Sequence, residues 1–224
     1  MRFWIGFCAV MVALGSGTPT VAEAGGAGQP MMALHVATYA AKNICAVPQL
    51  PSRCEDYVIN SPSSGFFQVY VTISKYDSSL IAGAQFGIQY EGAYGVGCDV
   101  FGWRSCADLE YSSDSWPASG SGNLLTWEYG TNCQGDTLAY SPILVGAFEL
   151  STYSGDLFSL VPRPADGRAK VADCSLVEMD ITDETPSRLG AVGFGTEPGY
   201  NPCLGPLTPV RTTTWGRLKT LYED

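Results

Sequence analysis

The chain has 224 residues, 46% hydrophobic and 12% aromatic, with a formal net charge of −10. This composition excludes a disordered chain. The acidic balance, with no run of Lys or Arg, excludes a nucleic-acid partner, whose phosphates need clustered cations.

The first predicted element is a secretory signal. Met1-Arg2 gives a positive start, Phe3 to Leu14 an apolar run, and Ala22-Glu23-Ala24 the small-x-small pattern that signal peptidase cuts after. The run is about 12 residues, short of the roughly 20 that span a bilayer. Residues 1–24 therefore read as a cleaved signal. The mature chain then has no transmembrane segment and resides outside the cytoplasm, secreted or at the cell surface, where disulfides persist. Cys8 leaves with the signal, and bulky Phe7 argues against a lipid anchor there.

Residues 25–31 are expected to be a flexible N-terminus and residues 32–204 one folded domain. Met32 to Ala37 reads as a first strand. Phe67, Val69, Val71 and Ile73 alternate with Gln68, Tyr70, Thr72 and Ser74, and Ala82 to Tyr90 repeat that period of two after a turn at Lys75–Ser78. Further strands are expected at Gly97–Trp103, Leu109–Tyr111, Leu124–Tyr129, Ile143–Leu150, Leu157–Val161, Val171–Ile181 and Leu189–Phe194. Ile143–Leu150 is apolar at nearly every position, as in a strand buried on both faces. Short strands separated by turn residues at intervals of about ten predict an all-β, disulfide-linked β-sandwich, immunoglobulin-like or jelly-roll-like.

Residues 205–213 form a Pro-rich connection. Residues 214–224 then predict a short C-terminal helix with Trp215, Leu218, Leu221 and Tyr222 on one face. Too short to stand alone, it should be helical only when docked on the sandwich or on an external partner.

Seven cysteines remain after the signal: Cys45, Cys54, Cys98, Cys106, Cys133, Cys174 and Cys203. No C-x₂-C spacing or histidine partner suggests zinc, so they read as staples. Three bridges and one thiol allow many pairings. Proximity in the chain suggests Cys45–Cys54, Cys106–Cys133 and Cys174–Cys203, leaving Cys98 free; Cys98–Cys106 is the rival.

Chemistry is sparse. His35 is the only histidine, and no G-x-S-x-G elbow accompanies it, so a structural or solvated histidine is expected. Asp108 and Glu110 share one face of an expected strand and are the candidate acid–base pair of a glycosidase. Glu178 and Asp180 should point outward together, with Asp183 and Glu184 in the next turn. These four are the candidate Ca²⁺ ligands, and Ca²⁺ is the only cofactor the sequence suggests. Aromatics concentrate in residues 90–130. Trp116, beside Pro117 in a Gly/Ser-rich loop, is expected to be exposed and to bind ligand together with Trp103 and Tyr94, whereas Trp127 is expected in the core. Gly190-x-x-Gly193-x-Gly195 lacks the βαβ setting of a dinucleotide site.

Phe101-Gly102-Trp103 with Cys106 to Glu110, Ser119 to Trp127, Val171 to Cys174, and Gly193-Phe194-Gly195 with Asn201-Pro202-Cys203 resemble a group of uncharacterised secreted bacterial β-sandwich proteins that carry no assigned activity. Thr214 to Lys219 resembles the C-terminal tails of such proteins. More distantly, Gly83 with Phe86, Ile88 and Tyr90 is similar to the early strands of cohesin-type sandwiches. The three expected bridges depart from the cohesin pattern, and dockerin binding is not carried over. The sequence thus leads to a secreted, non-catalytic binding or structural surface protein with an extracellular protein or carbohydrate as partner. A carboxylate-dependent extracellular glycosidase is the alternative.

Overall fold

A computed structural model describes residues 29–40, 42–46, 48–74, 80–135 and 142–204. The signal segment, the turn at 75–78, the connection 205–213 and the tail with Trp215, Leu218, Leu221 and Tyr222 lie outside the described residues. No helix among those described is long and apolar enough to cross a membrane.

The chain folds as a β-sandwich. Its strands are β1 (Met31–Thr38), β2 (Asn60–Ser61), β3 (Gly65–Ser74), β4 (Ile81–Gln89), β5 (Cys98–Ser105), β6 (Leu109–Glu110), β7 (Gly122–Thr126), β8 (Ile143–Thr152), β9 (Asp156–Val161), β10 (Lys170–Asp173), β11 (Glu178–Asp180) and β12 (Ala191–Phe194). One sheet has the order β1-β3-β8-β5. The larger has the path β11-β10-β4-β9-β12-β2, with β7 on the other side of β4 and β6 beyond it. Pairing is antiparallel except between β12 and β2. Along β4, one edge is taken by β10 at residues 81–85 and then by β9 at residues 87–89, while β7 occupies the opposite edge.

The period-two pattern explains the core. Leu34, Val36, Val69, Val71 and Ile73 from the smaller sheet meet Phe86, Ile88, Phe158, Val171 and Phe194 from the larger, all fully or nearly fully buried. β8 lies between β3 and β5 and is buried on both faces, as its apolar run predicts. Its outer face meets a cover without strands, described at residues 42–46 and 48–59 and including a short 3-10 turn at Cys54–Asp56, whose Ile44 and Leu50 pack with Tyr70 and Ala147.

Several boundaries differ from expectation. The strand expected at Leu124–Tyr129 is β7 at Gly122–Thr126, and β2 has no sequence signal. Val171–Ile181 is a hairpin rather than one strand. Asp173 accepts the N–H groups of Ser175 and Val177 at 2.8 and 2.9 Å, turning the chain between β10 and β11.

The disulfides number three, with Cys98 free and buried, but none of the expected pairings forms. The bridges are Cys45–Cys106, Cys54–Cys203 and Cys133–Cys174, closing 61, 149 and 41 residues. A sandwich juxtaposes elements far apart in the chain, so neighbours in sequence are poor guides to neighbours in space.

Trp116 also corrects the sequence reading. It packs among Phe86, Trp103 and Phe148, with ring centroids 5.4 to 5.9 Å apart, and plugs the side of the sandwich. Trp127 is in the core as expected, its Nε1 donating to the Cys106 carbonyl at 3.0 Å.

Candidate functional site

The outer face of the larger sheet carries a groove of about 610 Å³, a volume typical of ligand sites. Its floor is Ala82 and Gly83 of β4. On the glycine, an added Cβ would stand 3.2 Å from the Leu125 carbonyl and 3.6 Å from the Ala172 methyl. Only a bare backbone lets the floor lie that low between β7 and β10. One wall comes from Asp108 and Leu109 with Thr126 to Tyr129, the other from Ala172, Asp173 and Leu176. The Cys133–Cys174 bridge ties the segment after β7 to the β10–β11 turn, so the two walls are covalently joined.

Both walls present apolar surface to water. Leu109 is 57% exposed, Tyr129 60% and Leu176 69%. Leu176 is also the one described non-glycine residue with positive φ, at 64°. In that left-handed region a side chain of its kind is disfavoured by roughly 1–2 kcal/mol. At 69% exposure the side chain removes little apolar surface from water in return.

Carboxylates rim the groove, and their bonds are structural. Asp108 accepts the Glu128 N–H at 2.7 Å and the Asn132 side-chain amide at 2.8 Å, which hold its pKa below the ordinary carboxylate range. A group kept ionised in this way is a poor general acid. Its expected partner Glu110 accepts from the Trp103 indole and the Asn123 amide. The two are spent on holding β6 and its neighbours, and no observation favours glycosidase chemistry.

The other expected sites are dispersed. Trp103 and Trp116, both partly buried, meet each other edge to face against the core. Tyr94, 93% exposed, stands apart from that pair in the loop between β4 and β5. Glu178 and Asp180 do share the outer face of β11, but Glu178 bonds Lys170 at 2.8 Å and Asp180 bonds Arg168 at 2.9 Å. Asp183 and Glu184 do not join them: among the described residues, no group of three or more His, Cys, Asp or Glu side chains is placed to hold a metal.

His35 is structural. It lies on the outer face of β1, 6% exposed, between the rings of Tyr57 and Tyr70, and its Nδ1 accepts the Val58 N–H at 3.0 Å. Burial lowers its pKa to about 4, partly opposed by a backbone contact at Gln49. It is neutral at physiological pH.

Two functional features have weak or no sequence signals. Gly83, Gln85 and Gly87 alternate with the core residues of β4; Gln85 and Gly87 are covered by the segment 162–168, and the groove opens over Gly83. Asp156 follows Gly155 of the short turn between β8 and β9. It is buried and gathers the N–H groups of Glu91, Cys98 and Leu157 at 3.1, 2.9 and 2.7 Å, fixing the β4–β5 loop. Burial, and then this neighbouring carboxylate, push the Cys98 thiol pKa upward, which leaves it protonated and inert.

No family model and no curated protein matches the chain. Among solved structures, it is similar to the cohesin module of a family 33 glycoside hydrolase from Clostridium perfringens, at 9% identity and a TM-score of 0.41, over 75% of this chain and 98% of that one. A type I cohesin–dockerin complex from Clostridium thermocellum is similar at 9% identity and 0.42, over 75% and 96%. The pilus backbone protein of Streptococcus pneumoniae is similar at 11% identity and 0.33, over 64% and 53%.

Proposed function

We propose that the chain is a secreted, non-catalytic binding module that seats an apolar segment of an extracellular protein in the groove above Gly83. The observation that carries this reading is Leu176, an apolar side chain kept both in water and in a costly backbone conformation at the groove's rim. Apolar walls favour a hydrophobic segment, and Asp108, Glu128 and Asp173 around them favour cations beside it. The Cys133–Cys174 bridge sets the spacing of the walls before a ligand arrives, which lowers the cost of binding. Secretion is supported by the signal-like residues 1–24 and by three disulfides.

Selection of a random displayed-peptide library on the immobilised protein tests this. Enriched peptides should combine aromatic or aliphatic residues with Lys or Arg. They should shift the amide resonances of Gly83, Thr126 and Ala172, and lose binding to the Leu109→Asp/Leu176→Asn double variant. Peptides indifferent to that variant, or neutral oligosaccharides shifting the same resonances in their place, would overturn the reading.

A further inference from the structure

The two edges of the four-stranded sheet are treated differently. At β1 the edge is closed: Val36 donates to the Val58 carbonyl, Met32 donates to Arg188, and Gly190 donates back to Met32, all at 2.9 Å. At β5, no further strand among the described residues pairs with the edge. Such an edge is a template for another chain.

Alternation of the ladder identifies the unpaired groups. Gly97 and Cys106 bond the β8 side, through Tyr153 and Val145, whereas the Cys98 N–H turns away to Asp156. A bulge between Val100 and Gly102 places both Phe101 and Gly102 toward Glu149. The backbone groups of Val100 and Trp103 therefore point out of the sheet. Beside Val100 lies an open cavity of about 260 Å³, lined by Tyr90, Gly92, Tyr94, Asp99, Val100 and Phe101. Phe101 is 56% exposed.

We propose that this edge pairs antiparallel with β5 of a second copy of the chain, about a twofold axis between Phe101 and Gly102. In that register Val100 lies opposite Trp103 of the second copy, so the outward groups of each meet. A slip by one residue would face them with Gly102 or Arg104, whose groups turn inward to β8. The same register sets Asp99 opposite Arg104 of the second copy, twice by symmetry. Both side chains lie on the outer face of the sheet, because their β8 partners Ser151 and Ala147 alternate with the core residues Leu150 and Phe148. Opposite charges directly across a pair stabilise it, and reversed ones oppose it. The Arg104 side chain is exposed and makes no hydrogen bond or ion pair among the described residues, so within one copy its charge has no structural task. The exposed Phe101 and Tyr94 would be covered at the junction. Association about a twofold closes at two copies.

Sedimentation equilibrium of the purified secreted chain, from about 1 μM to about 1 mM, tests the pairing. A reversible dimer is expected. Arg104→Asp alone should raise its dissociation constant by about tenfold or more, since it sets like charges opposite each other twice. Asp99→Arg should do the same, and the double reversal should restore the dimer. Asp99 also accepts the Gly95 N–H at 3.1 Å, so thermal melts accompany that variant, while Arg104→Asp leaves the loop untouched. A chain monomeric throughout this range, or a dimer indifferent to Arg104→Asp, would overturn the proposal.

Discussion

The two outer faces of the sandwich have opposite fates. On the four-stranded sheet, the outward residues Ala33, His35, Gln68, Tyr70, Thr72 and Ala147 are all buried. Above them run residues 42–46 and 48–59, bringing Ile44, Leu50 and Tyr57. On the larger sheet, the floor at Gly83 lies at the bottom of an open groove. The difference shows what each disulfide is for. An irregular cover has no ladder of its own to hold it, and the Cys45–Cys106 and Cys54–Cys203 bridges pin it at two points. The third bridge, Cys133–Cys174, joins the walls of the groove. Two staples close a face, and one holds a face open in a fixed shape.

The largest expected effect comes from releasing the cover. The Cys54→Ala/Cys203→Ala variant should lose roughly 2–5 kcal/mol in urea melts, because a bridge closing a long loop restrains the unfolded chain most. It closes 149 residues, against 41 for Cys133–Cys174. The Cys133→Ala/Cys174→Ala variant should melt closer to the parent yet bind groove peptides more weakly, since its bridge sets the spacing of the walls. If the two variants lost equal stability and equal peptide affinity, the division of labour between the faces would be wrong.

Acid should loosen the covered face through His35. Its pKa falls from 6.5 in an exposed state to about 4 in the fold, because burial disfavours the cation. The unfolded chain therefore binds the proton more readily. The histidine's contribution is complete above pH 6.5, shrinks as pH falls through that value, and is lost by about pH 4, amounting to at most about 3 kcal/mol. Urea melts at pH 7.5 and 4.5 should show a larger acid loss for the parent chain than for His35→Gln. Equal losses would mean that the cover does not seal this site.

Where a physical rule acts between chain neighbours, the sequence was a good guide. The alternation in Phe67–Ile73 and Ala82–Ile88 marks two central strands, and the unbroken apolar run at 143–150 marks a strand covered on both faces. Cys98 as the leftover thiol also agrees with the structure. What was not legible depends on pairs brought together by folding. Cys54 meets Cys203 across 149 residues, and no local pattern announces it. Trp116 sits in loop composition beside Pro117, yet the loop folds inward and its indole fills the gap between Phe86 and Phe148. The groove was half visible. Gly83, Gln85 and Gly87 show that one face of β4 lacks bulk, but its walls come from residues 25 to 93 positions away, from Asp108 to Leu176. Of the expected carboxylates, Asp108, Glu110, Glu178 and Asp180 each meet a donor within the fold, and those pairings too join residues that only folding brings together.

The smallest expected effect is also the most pointed about the open face. Leu176 has no partner in the hydrophobic core, stands 69% exposed and holds φ at 64°. Asparagine adopts that conformation far more readily than a branched apolar side chain. Leu176→Asn should therefore stabilise the fold slightly, by roughly 0.5–1 kcal/mol, because backbone strain is relieved and almost no buried surface is lost. The same substitution removes apolar surface from the groove wall, so affinity for the selected peptides should fall. The two outcomes together are the signature of a residue kept for binding at the expense of stability. Chemical denaturation and peptide titration on one preparation measure both. A destabilised variant would mean that Leu176 supports the β10–β11 turn through packing. A stabilised variant with unchanged peptide affinity would remove the groove's rim from the binding surface.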